Sequence, residues 1–331
     1  LHAAARRVTR TPLTVPQAGS AVRPSWDDLP GHVRDAVVEA CGAEVVSAYS
    51  QGGGFTSGFA SRLLLDDGRR LFVKAATDEL HPFARPSYER EAAVVRGLPD
   101  AVPAPRVLWT RDLGHWFVSA FEDVDARHPV RPWDSAELAR VLDVCSLMAR
   151  ELTPVPESMP EPSPLSSWEY ELSFWRRRRD GEASALAVPL PDHWAAWTGE
   201  LADLEDGWTA RCSGSTGLHF DVRDDNLLIR PDGEVLVVDW NHLTLGAAWL
   251  DVASLLPSAW GDGLDANALW AAHPLSRGVD PRGLDGFLAA LGGLFVERSA
   301  DEPMPRSPYL RDHQTWWRDA TMGWLGSRLG W

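Results

Sequence analysis

Three oxygen-bearing side chains are closely spaced in the stretch LHFDVRDDNLLIRPDGEVLVVD, which runs from Leu218 to Asp239. His219, Asp221 and Asn226 form an H-x-D-x-x-x-x-N arrangement. A short apolar run (Leu227 to Ile229), a Pro231-Asp232-Gly233 turn and a second apolar run (Val235 to Val238) lead on to Asp239. Two such runs joined by a turn containing Asp-Gly read as a β-hairpin. A hairpin brings its ends together, so Asn226 and Asp239 are expected side by side, with Asp221 on the loop that enters. Phosphoryl transfer from ATP needs this set: a carboxylate to orient the attacking hydroxyl and accept its proton, and two oxygen ligands for Mg²⁺. The plainer alternative is an acidic hairpin with a chance H-x-D, because Asp and Asn are common in turns.

Other elements must position such a set. Gln51 to Gly58 (QGGGFTSG) lies between two expected strands, and its glycines, with Thr56 and Ser57, suit a backbone that closes over phosphates. It does not fit G-x-x-x-x-G-K-[ST], and a plain hairpin turn is the alternative. Lys74 ends the apolar run Leu71-Phe72-Val73, where an amine can reach phosphates from the sheet face. Very few lysines occur in the chain, so one kept inside an apolar strand is pointed. On the next helix Glu89 and Glu91 stand about 200° apart, so only one can face the sheet. Ala92, Val94 and Val95 mark the apolar side, and Glu91 shares it.

The length of 331 residues suggests two domains or one large bilobal unit, and 44% hydrophobic with 24% charged residues is a globular composition. A net charge of −15 argues against nucleic acid or an anionic membrane as partner and fits a cationic substrate. Cys41, Cys145 and Cys212 lack C-x-x-C spacing and read as reduced thiols. With no secretory h-region and no membrane-spanning run, the expectation is a soluble, cytoplasmic protein.

Residues 1–24 read as an arm, 25–122 as a strand-rich lobe, and 123–331 as a helical lobe. A helix is expected from Ser25 to Ala40, strands over 44–51, 59–66, 70–76, 106–110 and 115–121, and a helix from about Ser87 to Gly97. In the helical lobe Asp134 and Glu137 suggest a capping box, Ser166 and Glu169 another, and Trp194, Trp197, Leu201, Leu204 and Trp208 stripe a third helix. The 17 tryptophans are expected mainly in core positions rather than as sugar platforms. Arg176 to Arg179 suggest a solvated face or inter-lobe salt bridges rather than a nucleic-acid patch.

In order, the glycine-rich hairpin, the VK on a strand, the helix Glu, HFDVRDDN and VVDW resemble the aminoglycoside phosphotransferase family, relatives of the protein kinases. The resemblance implies an α+β, bilobal protein-kinase-like fold: an N-terminal lobe with an antiparallel sheet and one key helix, and a larger helical C-terminal lobe. It implies Asp221 as catalytic base, Asn226 and Asp239 as Mg²⁺ ligands, and Lys74 and Glu91 as the pair that holds the phosphates of ATP or GTP. Gly53, Gly54, Thr56 and Ser57 fall on the phosphate loop. The adenine-binding linker falls on Ala120 to Val124, including Phe121 and Glu122.

Arg223 stands where protein kinases carry a lysine that contacts the transferred phosphate; an ion pair with Asp224 or Asp225 is the alternative. His219 is expected to hold the loop, and Asp251 to brace it through backbone amides. Two departures stand out: Phe220 where family members often have Gly, and a loop without the usual Asn. The implied reaction is phosphorylation of a small-molecule hydroxyl. The acceptor is an aminoglycoside or other cationic antibiotic, or a metabolite such as choline, homoserine or a sugar amine, with Asp224 and Asp225 lining its pocket. A non-catalytic nucleotide-binding or protein-binding module on the same scaffold is the rival, and a metal hydrolase lacks its marks, with no H-E-x-x-H and no clustered His, although a lone H-x-D could be one limb of a two-metal site. Nothing in the residues speaks to oligomeric state.

Overall fold

Alternation along the strands decides the architecture of the first lobe. The computed structural model describes all residues except 1–10, 17–20, 55–57 and 80–82. The strands β1 (Val45–Ser50), β2 (Phe59–Leu65), β3 (Arg70–Thr77), β4 (Val107–Asp112) and β5 (Trp116–Glu122) form one antiparallel sheet in the order β1-β2-β3-β5-β4. Helix α1 (Gly31–Cys41) covers one face and α2 (Ala84–Gly97) the other. Trp116, Val118 and Ala120 of β5 join the core under α1, while Phe117 and Phe121 join the core under α2. On β3, Val73 and Ala75 face α1, so the residue between them, Lys74, must face α2.

Helix α1 starts at Gly31 rather than Ser25, because Pro30 lacks the N–H that an interior position would need. Residues before it form a turn in which the Ser25 amide and hydroxyl donate to Asp28. Gly42 closes the helix at φ +65°, donating to Glu39 and Val38 carbonyls, the left-handed stop for which glycine is suited.

The second lobe is helical, built on α3 (Ser135–Glu151) and on helices Leu250–Gly261, Pro281–Ser299 and Leu310–Leu329. Its core is continuous with the α2 face of the sheet. Trp175, Trp208, Trp240 and Trp324 are among its fully buried side chains, each worth about 3 kcal/mol of transfer free energy. The described part of the N-terminal arm lies on this lobe: Leu13 and Val15 pack against Trp316 and Trp317, and Leu13 N donates to Gly261 O at 2.7 Å.

Four local expectations are corrected. Asp134 caps α3 by accepting from Ala136 and Glu137 amides, but the Glu137 carboxylate turns instead to Arg127 and the Val130 amide, so the box is half made. Ser166 caps no α-helix. The segment Leu165–Trp168 is a single tight turn, and the helix behind it, Phe174–Arg179, has its Trp175 and Arg176 amides met by the buried Glu205 carboxylate. The expected 194–208 helix breaks into Asp192–Ala196, Thr198–Glu205 and Trp208–Arg211, interrupted at Trp197 and at Gly207, whose φ is +67°. Arg176, Arg177 and Arg179 form ion pairs, but with Glu169, Glu205, Glu182, Glu297, Asp203 and Asp206 of the same lobe rather than across the lobes.

Candidate active site

The loop carrying Asp221 is held from behind. Asp251, near the start of the Leu250–Gly261 helix, accepts from the amides of His219 (3.0 Å) and Phe220 (2.9 Å). Burial pushes the Asp251 pKa up, and the two donated N–H bonds work against that. The fully buried His219 donates from Nε2 to the Val238 carbonyl (2.9 Å) and accepts at Nδ1 from the Asp221 amide (3.3 Å). Both ring nitrogens are spent on backbone, so His219 and Asp251 hold the loop. Phe220 sits at φ +63°, in the left-handed region that a Cβ disfavours, at the position where the family pattern has Gly. Its ring packs between Trp168 (5.3 Å between ring centres) and Phe287 (6.2 Å).

The hairpin forms as its pattern predicts. Leu227–Ile229 pairs antiparallel with Val235–Val237, and Gly233 turns at φ +90°. Val238 N donates to Asn226 O at 2.9 Å, so Asn226 and Asp239 emerge side by side. Asp239 itself adopts φ +68°, which Asp tolerates better than most residues. Asn226 Nδ2 donates to the carbonyl and the carboxylate of Asp221, both at 2.9 Å.

Lys74 crosses from the first lobe to meet this group. Its Nζ lies 2.8 and 2.7 Å from the Glu91 oxygens and 3.2 Å from Asp239 Oδ1. Burial favours the neutral amine, but the Asp239 and Glu91 carboxylates outweigh it and raise the Lys74 pKa above the ordinary lysine value. Burial is outweighed likewise at Asp239, whose carboxyl Lys74 holds below the usual range. Helical facing chose correctly between the two glutamates: Glu91 is 3% exposed, whereas Glu89 pairs with Arg85 at 2.9 Å. Lys74 is the only lysine in the chain.

A cavity of about 210 Å³ opens between the lobes beside Lys74, Asn226 and Asp239. Gly53 and Gly54 line it on one side, and Phe121, Glu122 and Val124 of the linker on another. Phe72, Val95 and Leu228 add apolar wall, a surface suited to a flat ring system. The linker is tied to the sheet: Arg62 donates to the Val124 carbonyl, and Asp123 pairs with Arg62 (2.6 Å) and Arg70 (2.8 Å). Val124 O is thereby occupied. Thr56 and Ser57 lie outside the described residues.

The remaining aspartates each face an arginine. Arg223 Nε lies 3.1 Å from Asp221 Oδ1, and its Nη2 lies 3.2 Å from Asp225 Oδ2. Arg131 Nη1 lies 2.8 Å from Asp224 and its Nε 2.7 Å from the fully buried Asp262. The Arg223 ion pair thus falls on Asp225 and Asp221 rather than Asp224. Burial raises the Asp225 pKa in spite of Arg223. Asp224 and Asp225 each share their arginine with a second carboxylate, Asp262 and Asp221 respectively, so two cations face four carboxylates here.

Sequence reasoning missed Tyr88, Arg131 and His242. Tyr88 precedes Glu91 by one helical turn and shares its face, a signal that was there to use. His242 contacts the Trp168 ring (5.3 Å), and burial lowers its pKa despite Asp221 and Asp239 nearby. Arg131 meets Asp224 across 93 positions (224 − 131), and no local pattern announces such a pair.

Residues 54–297 match the family model described as "Phosphotransferase enzyme family". A comparison with curated proteins finds no match. Among solved structures, a thermostable mutant of aminoglycoside phosphotransferase APH(4)-Ia in ternary complex with ADP and hygromycin B is 16% identical, with a TM-score of 0.58 over 89% of this chain and 98% of that one. Choline kinase LicA from Streptococcus pneumoniae is 12% identical, with a TM-score of 0.58 over 90% and 100%. Aminoglycoside phosphotransferase APH(3'')-Id from Streptomyces rimosus is 19% identical, with a TM-score of 0.52 over 80% and 97%. At these identities the likeness shows a shared fold, the bilobal kinase-like α+β architecture that the motif order implied. Among the described residues no helix is long and apolar enough to cross a membrane.

Proposed function

Because the chain belongs to the phosphotransferase enzyme family, we propose that it transfers the γ-phosphoryl group of ATP to a hydroxyl of a small molecule. The observation that carries this reading is the meeting of Lys74, Glu91 and Asp239 within 3.2 Å beside the cavity that Asn226 also lines. In this reading Asp221 orients the acceptor hydroxyl and takes its proton, held in place by Asn226 and by Arg223. Lys74 engages the phosphates, and the linker segment Phe121–Val124 faces the adenine. Arg223 stands close enough to Asp221 to meet charge on the transferred group as well.

The donors at the hairpin suit Mg²⁺. Asn226 spends its amide nitrogen on Asp221, which leaves its oxygen, and Asp239 offers a carboxylate; both are hard oxygen ligands. Among the described residues no group of three or more His, Cys, Asp or Glu could hold a metal alone, which agrees with an ion completed by phosphate oxygens and water. When bound, Mg²⁺ would neutralise charge on the phosphates.

For the acceptor we favour a cationic alcohol, an aminoglycoside-like antibiotic or an amino alcohol of the choline type. The net charge of −15 supports it, as do the named ligand hygromycin B and the named activity choline kinase among similar structures. The test is nucleotide consumption by the purified protein, with ATP and GTP in parallel, against a panel of aminoglycosides and amino alcohols. Turnover with at least one acceptor is expected. Tight nucleotide binding without turnover across a broad panel of alcohols would favour the non-catalytic alternative.

A further inference from the structure

Arg23 lies upstream of the family match, which begins at residue 54, and no motif singles it out. Its guanidinium nonetheless lines the cavity. Nη2 donates to the Gly53 carbonyl at 2.8 Å, and Nη1 donates to the Gly58 carbonyl at 3.0 Å and to the Tyr88 hydroxyl at 3.3 Å. One planar fork thus holds two points of the glycine-rich stretch and a tyrosine of α2. Fixing a carbonyl also fixes the next amide, because a trans peptide sets its N–H opposite its C=O. With Gly53 O turned to Arg23, the Gly54 N–H points the other way. At Gly58 the fit is closed: a Cβ there would stand 2.7 Å from the Tyr88 hydroxyl.

The charge on Arg23 is the second observation. Other cations lining the cavity are matched: Arg62 by Asp123, Lys74 by Glu91 and Asp239, Arg127 by Glu137. Among the described residues Arg23 bonds only to two carbonyls and a phenol, and its buried Nε has no hydrogen-bond partner. Lys74 Nζ stands 5.3 Å from the centre of the Tyr88 ring, so these two cations flank one tyrosine. The segment that delivers Arg23 is anchored on the other lobe, where Val22 N donates to Arg306 O at 2.8 Å.

We propose that Arg23 is a triphosphate-recognition residue supplied by the N-terminal arm. It brings an uncompensated positive charge to the Lys74 side of the cavity and orients the Gly53–Gly54 peptide. The proposal rests on the nucleotide reading above and adds a determinant that the family-matched region does not contain.

Calorimetric titration of MgATP and of adenosine into the wild type, Arg23→Met and Arg23→Lys tests it. Arg23→Met is expected to weaken MgATP binding about 10- to 100-fold, the range for hydrogen bonds to a charged group, and to leave adenosine binding unchanged. Arg23→Lys keeps the charge without the fork and recovers part of the loss. Unchanged MgATP affinity in Arg23→Met would overturn the proposal. So would an equal loss for both ligands, which marks a purely structural role, or an Arg23→Lys no better than Arg23→Met. A wild type that binds neither ligand removes the nucleotide reading itself, and this proposal with it.

Discussion

On the wall formed by the sheet and α2, one ammonium is shared by two carboxylates: Lys74 lies between Glu91 of its own lobe and Asp239 of the other. On the wall formed by the Asp221 loop, three aspartates each pair with an arginine, Asp221 and Asp225 with Arg223 and Asp224 with Arg131. A lysine is a compact charge on a flexible stem, free to exchange one oxygen partner for another. An arginine fork is fixed by the geometry of its acceptors. In the proposed reaction the first wall can hand its cation from Asp239 to an incoming phosphate, while the second holds a carboxylate still.

Breaking the second wall should have the largest effect. Asp221→Asn removes the proposed proton acceptor but can keep the contact to Asn226, and turnover is expected to fall about 10²- to 10⁴-fold. MgATP should still raise the melting temperature of this variant. Undiminished turnover in Asp221→Asn would end the assignment of the base. Arg131→Met leaves Asp224 and the buried Asp262 without their partner, at a cost of about 3–5 kcal/mol in chemical denaturation. A loss below about 1 kcal/mol would show that these arginines do not fix the wall.

Glu205 sharpens the contrast, since it is a buried carboxylate whose arginine sits only at 3.4 Å. Burial pushes its pKa up to about 7, Arg176 and two backbone amides notwithstanding. The folded state then holds a proton that the unfolded chain releases near its ordinary value of about 4.5. Stability from this group is full below about 4.5 and is lost as pH rises towards about 7, by up to roughly 3 kcal/mol. In Glu205→Gln that part of the pH dependence should vanish from denaturation midpoints measured between pH 4.5 and 7.5 (roughly the window the linkage sets). On the first wall, Lys74→Met should weaken MgATP binding about 10- to 100-fold by calorimetry, with Lys74→Arg a poor replacement. Full affinity in Lys74→Arg would show that any cation serves there.

The first wall was legible in the sequence because its signals are local. Strand alternation turns Lys74 away from Val73 and Ala75, helical facing selects Glu91, and the Asp232-Gly233 turn brings Asn226 beside Asp239. The second wall was legible only in its loop residues. Its arginine at position 131 comes from a segment that only the folded chain brings to the loop, and the acceptor contacts expected of Asp224 and Asp225 did not allow for it. The breaks at Trp197 and Gly207 were hidden for a similar reason: the apolar stripe runs on across them while the backbone turns. Arg23 left no trace at all, since its partners are carbonyls and one tyrosine, which carry no charge pattern to read.

A chain with one lysine has one side-chain amine to acylate. Reagents that scatter over the surface of ordinary proteins have a single side-chain target here besides the α-amino group, and Glu91 and Asp239 hold that target as an unreactive ammonium. A second adduct beyond the one on the α-amino group then reports that these ion pairs have opened, as they do when the cleft or the fold comes apart.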